Sequence, residues 1–193
     1  MDANIILLQK RMKKKLDECR YEHTLGVMYT AAALAMVHHV DLDQAMFAGL
    51  LHDCAKCYTD ERKIQLCEKY EVELTDAEKA NTALIHAKLG ACLAQQKYEV
   101  KDAEVIHAIL THTTGAPAMN NLDKIIFIAD YIEPHREKAP HLNQLRTLAF
   151  QDLDQALILI LEDTLKYLNG TGKSIDPMTR MTYDYYMNGA DTL

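Results

Sequence analysis

A chain of 193 residues can bury one ordinary core but is short for two; its 49% hydrophobic and 25% charged content is that of a soluble globular domain. A formal net charge of -7 sets an acidic surface against nucleic-acid backbones and anionic membranes, so neither is an expected partner, and any attraction for a polyphosphate must be local. No apolar run approaches the roughly 18 residues of a membrane span.

The first segment, MDANIILLQKRMKKKLDE, places its basic cluster after the apolar run. That order is the reverse of a secretory signal, so an amphipathic first helix is expected. Five cysteines (Cys19, Cys54, Cys57, Cys67 and Cys92), odd in number and irregularly spaced, read as reduced thiols of a cytoplasmic protein. Helical periodicity then recurs almost everywhere. Val27, Ala31 and Leu34 share a stripe in 20–40, and Met46, Leu50 and Leu51 share one in 42–56. Ile85, Leu89 and Leu93 follow, then Val105, Ile109 and His112, then Ile125, Ile126 and Ala129. Leu145 to Leu168 reads as one long helix. Breaks fall at Asp41, Tyr58–Thr59, Gly115–Pro117, Pro134–Pro140 and Gly170–Pro177. With 7 Gly, 4 Pro, no repeat and no long linker, the expectation is a single all-α domain spanning 1–193. It should be a bundle of about seven to nine helices.

The informative residues are ionisable groups on apolar faces. His23 lies four before Val27, and Gly26 beside it permits a close backbone approach. His52 and Asp53 end the stretch MFAGLL, His86 precedes Gly90 at helical spacing, His112 continues the Val105–Ile109 stripe, and Asp130 follows Ile126 by four. An uncompensated buried polar group costs roughly 2–7 kcal/mol. A lone histidine on such a face is more often a hydrogen-bonded core residue than a ligand. Four imidazoles and two carboxylates from five separate helices are harder to explain that way, and they suggest a shared cation. Imidazole with carboxylate suits Fe, Mn, Co, Ni or Zn rather than Ca or Mg alone. Adjacent His52 and Asp53 would diverge by about 100° within a helix, but at a helix end both can turn onto one metal.

Two other signals are set aside. Cys54-Ala55-Lys56-Cys57 is a CxxC without a second pair or a βαβ context. The stretch from Gly170 to Ser174 imitates the end of a phosphate-binding loop, but Tyr167 stands where the first glycine is required.

The ordered set His23, His52–Asp53, His86, His112, Asp130 resembles the HD-domain phosphohydrolase superfamily. The strings RYEHTLGV (20–27), LLHDCAK (50–56), IHAKLGA (85–91), THTTGAP (111–117) and KIIFIADYIEPHR (124–136) resemble its bacterial symmetrical dinucleoside tetraphosphatase branch (YqeK-type). The resemblance implies an HD-type helical bundle with an iron-type centre held by His23, His52, Asp53 and Asp130. Mn, Co, Ni and Zn are alternatives. His86 and His112 would hold a second ion, with Asp53 bridging, or would contact phosphate directly. It further implies substrate contacts from Arg20, Lys56, Thr113 and Arg136, and from 176–181, where Asp176 and Arg180 lie. Asp53 and Lys56 would carry the catalytic roles, Lys56 being one helical turn past Asp53. The implied reaction is metal-dependent cleavage of diadenosine tetraphosphate and similar dinucleotides into two nucleoside diphosphates. A mononucleotide nucleotidase and a non-catalytic nucleotide-sensing module remain alternatives, and the oligomeric state, a homodimer included, stays open.

Overall fold

Short polar side chains cut the chain into helices at the points where periodicity breaks. In the computed structural model, which describes residues 3–171 and 176–189, the helices are α1 (Ala3–Lys15), α2 (Glu18–Val37), α3 (Leu42–Leu51), α4 (Asp60–Lys69), α5 (Asp76–Ala80), α6 (Ile85–Tyr98), α7 (Ala103–Thr111), α8 (Asn121–Ile132), α9 (Leu142–Leu148), α10 (Leu153–Thr171) and α11 (Pro177–Met187). Gly172, Lys173 and Ser174 of the rejected phosphate-loop stretch lie outside the described residues. Asp17, Asp41, Thr59, Asp102 and Asp176 each accept a backbone N–H of the first turn that follows. Thr75 with Glu78, and Asn120 with Asp123, form reciprocal capping boxes. No strand occurs among the described residues, in keeping with the all-α expectation.

Eleven helices among the described residues exceed the expected number, for local reasons. The long helix read over 145–168 is two: α9 closes on turns at Phe150 and Gln151, and Asp152 Oδ1 then accepts from the backbone of Asp154 and Gln155 to open α10. Helix α5 is a single capped turn, too short to show a period. The helix expected over 42–56 ends at Leu51 and continues as tight turns through Lys56.

Helices α2, α3, α7 and α8 form the centre, with α6 against α7, α10 against α8, and α11 against α10. Val27, Leu34, Leu50, Leu51, Leu89, Ile109, Ile125 and Ile126 are fully buried there, and each contributes about 1.5–3 kcal/mol by leaving water. At Gly49 a Cβ would come 2.8 Å from Met28 Cα, so glycine lets α2 and α3 pack backbone to backbone. The ionisable residues singled out above sit at the ends or inner faces of these same helices. No helix among the described residues is long and apolar enough to cross a membrane.

Candidate metal centre

Each of the four histidines is aimed by its own local structure. His52 and His112 are C-cap residues, of α3 and α7, and their Nδ1 atoms lie 2.7 Å from the carbonyls of Gly49 and Ile109. His86, in the first turn of α6, turns Nδ1 onto Ala83 O in the same way. A carbonyl only accepts, so these Nδ1 atoms carry the proton and the Nε2 atoms present lone pairs. His23 on α2 differs: its Nδ1 lies 3.1 Å from Oε1 of Glu133.

All four Nε2 atoms converge on Asp53 and Asp130. Asp53 Oδ2 lies 3.5 Å from His52 Nε2 and 3.8 Å from His23 Nε2, while Oδ1 lies 3.5 Å from both His86 and His112. Asp130 Oδ1, at the end of α8, lies 3.1 Å from His23 Nε2 and 3.9 Å from His52 Nε2. The triads His23–His52–Asp130 and His52–Asp53–His112 each bring their ligand atoms within 4.8 Å of one another.

This donor set fits a cation. His52 Nε2 and both Asp53 oxygens are buried and make no hydrogen bond; Lys56 Nζ comes within 2.9 Å of Asp53 Oδ2 as an ion pair only. His86 and His112 set their Nε2 atoms 3.1 Å apart, and Thr113 Oγ1, 3.1 Å from each, has one proton for two lone pairs. A divalent ion beside these atoms satisfies them together, whereas leaving them bare and buried is costly.

The electrostatics agree. Burial, partly offset by Asp53 and Asp130, pushes His52 down to about 4. Burial and the adjoining His112 push His86 down to about 3. Both are neutral imidazoles, ready to ligate, at pH 7. Burial alone would raise the Asp53 carboxyl, but His52 and Lys56 hold it well below the usual carboxylate range. Burial also opposes ionisation of Asp130, and His23 and His52 outweigh it. Burial works against protonating His23, and Asp130 and Glu133 outweigh that and raise its pKa.

Of the substrate residues expected from the sequence, Lys56, Arg20 and Arg136 line one depression of about 370 Å³ with His23 and Asp53. Thr113, Lys56 and Tyr131 line a second, of about 180 Å³, over His86 and His112. Arg136 also reaches Asp130, its guanidinium donating to Oδ1 and to the backbone carbonyl at 3.1 Å each. Arg20 additionally pairs with Asp17 at 3.5 Å. Asp176 and Arg180 line neither depression: Asp176 caps α11, and Arg180 lies over the Tyr183 ring. The CxxC supplies no ligand to these triads; Cys54 Sγ faces Gly90 O and Cys57 Sγ faces Cys54 O.

Sequence reasoning passed over Glu133. It is buried, braces His23, and takes the His135 backbone N–H on Oε2 at 2.7 Å. Arg146 on α9 fastens the turn, donating to the carbonyls of Ile132, Glu133 and Arg136. No local signal marks it: Glu133 is the C-cap of α8, just before Pro134, and its burial comes from contact with α2.

Residues 20–135 match the HD domain family. The chain is 39% identical over 181 residues to a Bacillus subtilis protein named symmetrical bis(5'-nucleosyl)-tetraphosphatase, covering 93% of this chain and 95% of that protein. A Staphylococcus aureus protein of the same name is 36% identical, covering 86% and 85%. A Clostridium acetobutylicum crystal structure, described as a predicted HD superfamily hydrolase involved in NAD metabolism, superposes with a TM-score of 0.90. It has 39% identity, and the match covers 94% of this chain and 95% of that one.

Proposed function

The chain belongs to the HD-domain family, and from that premise we propose that it hydrolyses diadenosine tetraphosphate and similar dinucleoside polyphosphates symmetrically, into two nucleoside diphosphates. The observation that carries the metal-dependent chemistry is the convergence of four imidazole Nε2 atoms on a buried Asp53 carboxylate that makes no hydrogen bond. The names of relatives matching along nearly the whole chain support the substrate.

His23, His52, Asp53 and Asp130 would hold the first ion. His86 and His112, whose Nε2 atoms face each other and Asp53 Oδ1, would hold a second, and the bare lone pairs favour this over direct phosphate contact. Bound there, a divalent transition metal, iron or one of Mn, Co, Ni and Zn, supplies Lewis acidity and a water that ionises near neutral pH. Lys56, three residues past Asp53 and on the rim, can exchange its ion pair for a phosphate oxygen. Arg136 offers its planar fork to the same chain of phosphates, and Thr113 offers a hydroxyl from the other side. In the reaction one water adds to a central phosphorus and the bond to the central bridging oxygen breaks. The departing half leaves as ADP, whose charge Lys56 and Arg136 neutralise, so no strong protein acid is needed.

The test is anion-exchange chromatography of an early time point with diadenosine tetraphosphate, using metal-replete and chelator-treated protein. Two ADP and no ATP or AMP are expected, only with metal. Equal ATP and AMP would reject symmetric cleavage. Rapid hydrolysis of mononucleotides without dinucleotide cleavage would establish the nucleotidase alternative instead.

A further inference from the structure

The turn that carries His52 and Asp53 is gripped from outside the metal cluster as well as within it. After Leu51 the backbone folds through tight turns, with Cys54 N–H donating to Leu51 O, Lys56 N–H to Asp53 O and Tyr58 N–H to Ala55 O. These bonds pass over the Cys54 carbonyl, one residue beyond Asp53. Lys15, in the last turn of α1, takes it: Nζ donates to Cys54 O at 2.6 Å. The same ammonium donates to Tyr98 Oη at 3.1 Å. It also lies 4.5 Å from the centre of the Tyr58 ring, so it touches both ends of the segment from Cys54 to Tyr58. Residues 20–135 match the family, and Lys15 precedes them.

We propose that Lys15 is a positioning residue for the metal centre, holding the Cys54 carbonyl so that the adjoining Asp53 carboxylate meets the four imidazoles. The inference rests on the proposed metal centre and extends it to a helix that supplies no ligand. Helix α3 ends at Leu51, so no regular helix fixes Asp53. Asp53 nevertheless has to aim Oδ1 at His86 and His112 and Oδ2 at His52 and His23. A small rotation of the turn would spoil both. Cys54 Sγ, 3.7 Å from Gly90 O, holds one side of the turn against α6, and Lys15 holds the other against α1. Helix α1 is a firm support, because its Ile5 and Met12 are fully buried. Burial works against the Lys15 ammonium, and the adjoining Cys54 and Tyr98 outweigh that and raise its pKa. Lys15 is therefore charged at neutral pH, and a hydrogen bond from a charged donor is roughly twice as strong as a neutral one.

The experiment measures affinity for Co²⁺ alone, by chelator competition, in the wild type, Lys15→Met, Lys15→Arg and Arg11→Met, with thermal transitions to establish folding. Arg11 is the control for general loosening of α1. It sits on the same helix, but its contacts are with α6: it donates to Lys97 O at 3.1 Å and lies 4.7 Å from the centre of the Tyr98 ring. Lys15→Met should weaken Co²⁺ binding about tenfold, the lower end of what losing a partner behind the ligands costs. Lys15→Arg, which keeps a cation and its N–H donors, should lose less, and Arg11→Met should keep wild-type affinity whatever it does to the thermal transition. Wild-type affinity in folded Lys15→Met overturns the proposal, and so does an equal loss in Arg11→Met. If Lys15→Met does not fold, Tyr98→Phe decides: it deletes the acceptor that pins Nζ and keeps the ring, so affinity should fall, and an unchanged value overturns the proposal. A wild-type protein that binds no Co²⁺ overturns the metal centre itself, and the role of Lys15 with it.

Discussion

Glu133 Oε1 stands 3.1 Å from His23 Nδ1, joining the turn after α8 to an imidazole of the cluster that precedes it by 110 residues. The contact fixes which nitrogen of His23 faces the cluster, as an acceptor behind a ligating imidazole does. Gly26, one turn along α2, makes room for it: a Cβ there would fall on Glu133 Oε2. We expect Glu133→Ala to weaken metal affinity about 10–100-fold, Glu133→Gln to weaken it less, and Gly26→Ala to act in the same direction. Chelator competition followed by elemental analysis measures this. Wild-type affinity in the folded Glu133→Ala protein would remove Glu133 from the site.

Asp53 turns Oδ1 toward His86 and His112 and Oδ2 toward His52 and His23, so its carboxylate serves both halves of the cluster. Asp53→Asn keeps the shape and deletes the charge. Loss of a ligand should exceed loss of a group behind one, so turnover should fall by more than about 100-fold, with metal content falling alongside. Full occupancy with normal turnover would refute the ligand assignment.

Cys54 is buried against Gly90 O, and Cys57 is half-buried. Neither contributes to the ligand triads. The double change to Ser should leave metal content unaltered and turnover within a few-fold, at a stability cost of about 1–3 kcal/mol for burying a hydroxyl where a thiol packed. Metal loss from the folded double variant would bring the CxxC back as a site.

The cluster was legible in the sequence because carboxylates and imidazoles on apolar stripes are costly without a shared partner, and each of the six sits on such a stripe or at its end. Glu133 was not, since it follows the last apolar residue of α8 and precedes Pro134, where an acid reads as a solvated turn. Its burial is created by α2, which local pattern does not contain. The break between α9 and α10 was hidden by apolar continuity through Leu145, Leu148, Phe150 and Leu153. The cap that makes it is Asp152, whose Oδ1 accepts from the backbone of Asp154 and Gln155. Asp176 caps α11, a local function that its sequence position beside Pro177 also supports.

Acid should unfold the metal-stripped protein earlier than its carboxylates alone would require. In the unfolded chain a histidine titrates near 6.5. In the folded protein burial pushes His52 down to about 4 and His86 to about 3. Between those limits the unfolded chain binds the extra protons, so stability falls as pH falls. The contribution is fully present above about 6.5 and is lost progressively toward about 4 for His52 and about 3 for His86. Each such proton changes stability by at most about 1.4 kcal/mol per pH unit. Asp53, held well below the carboxylate range, adds to the loss only below its ordinary value of 3.8. His23 runs the other way: its raised pKa gives stability that is present below about 6.5 and lost as pH climbs through the folded value, so it offsets part of the effect. Two deeply buried groups against one half-buried group leave a net loss on acidification. Thermal transitions of chelator-treated protein at about pH 7, 6 and 5 should therefore fall in that order, and His52→Gln should flatten the series by removing one of the two protons. A transition temperature that stays level from pH 7 to 5 would mean that these imidazoles are not held neutral by the fold, and the argument that they stand ready to ligate would fail with it.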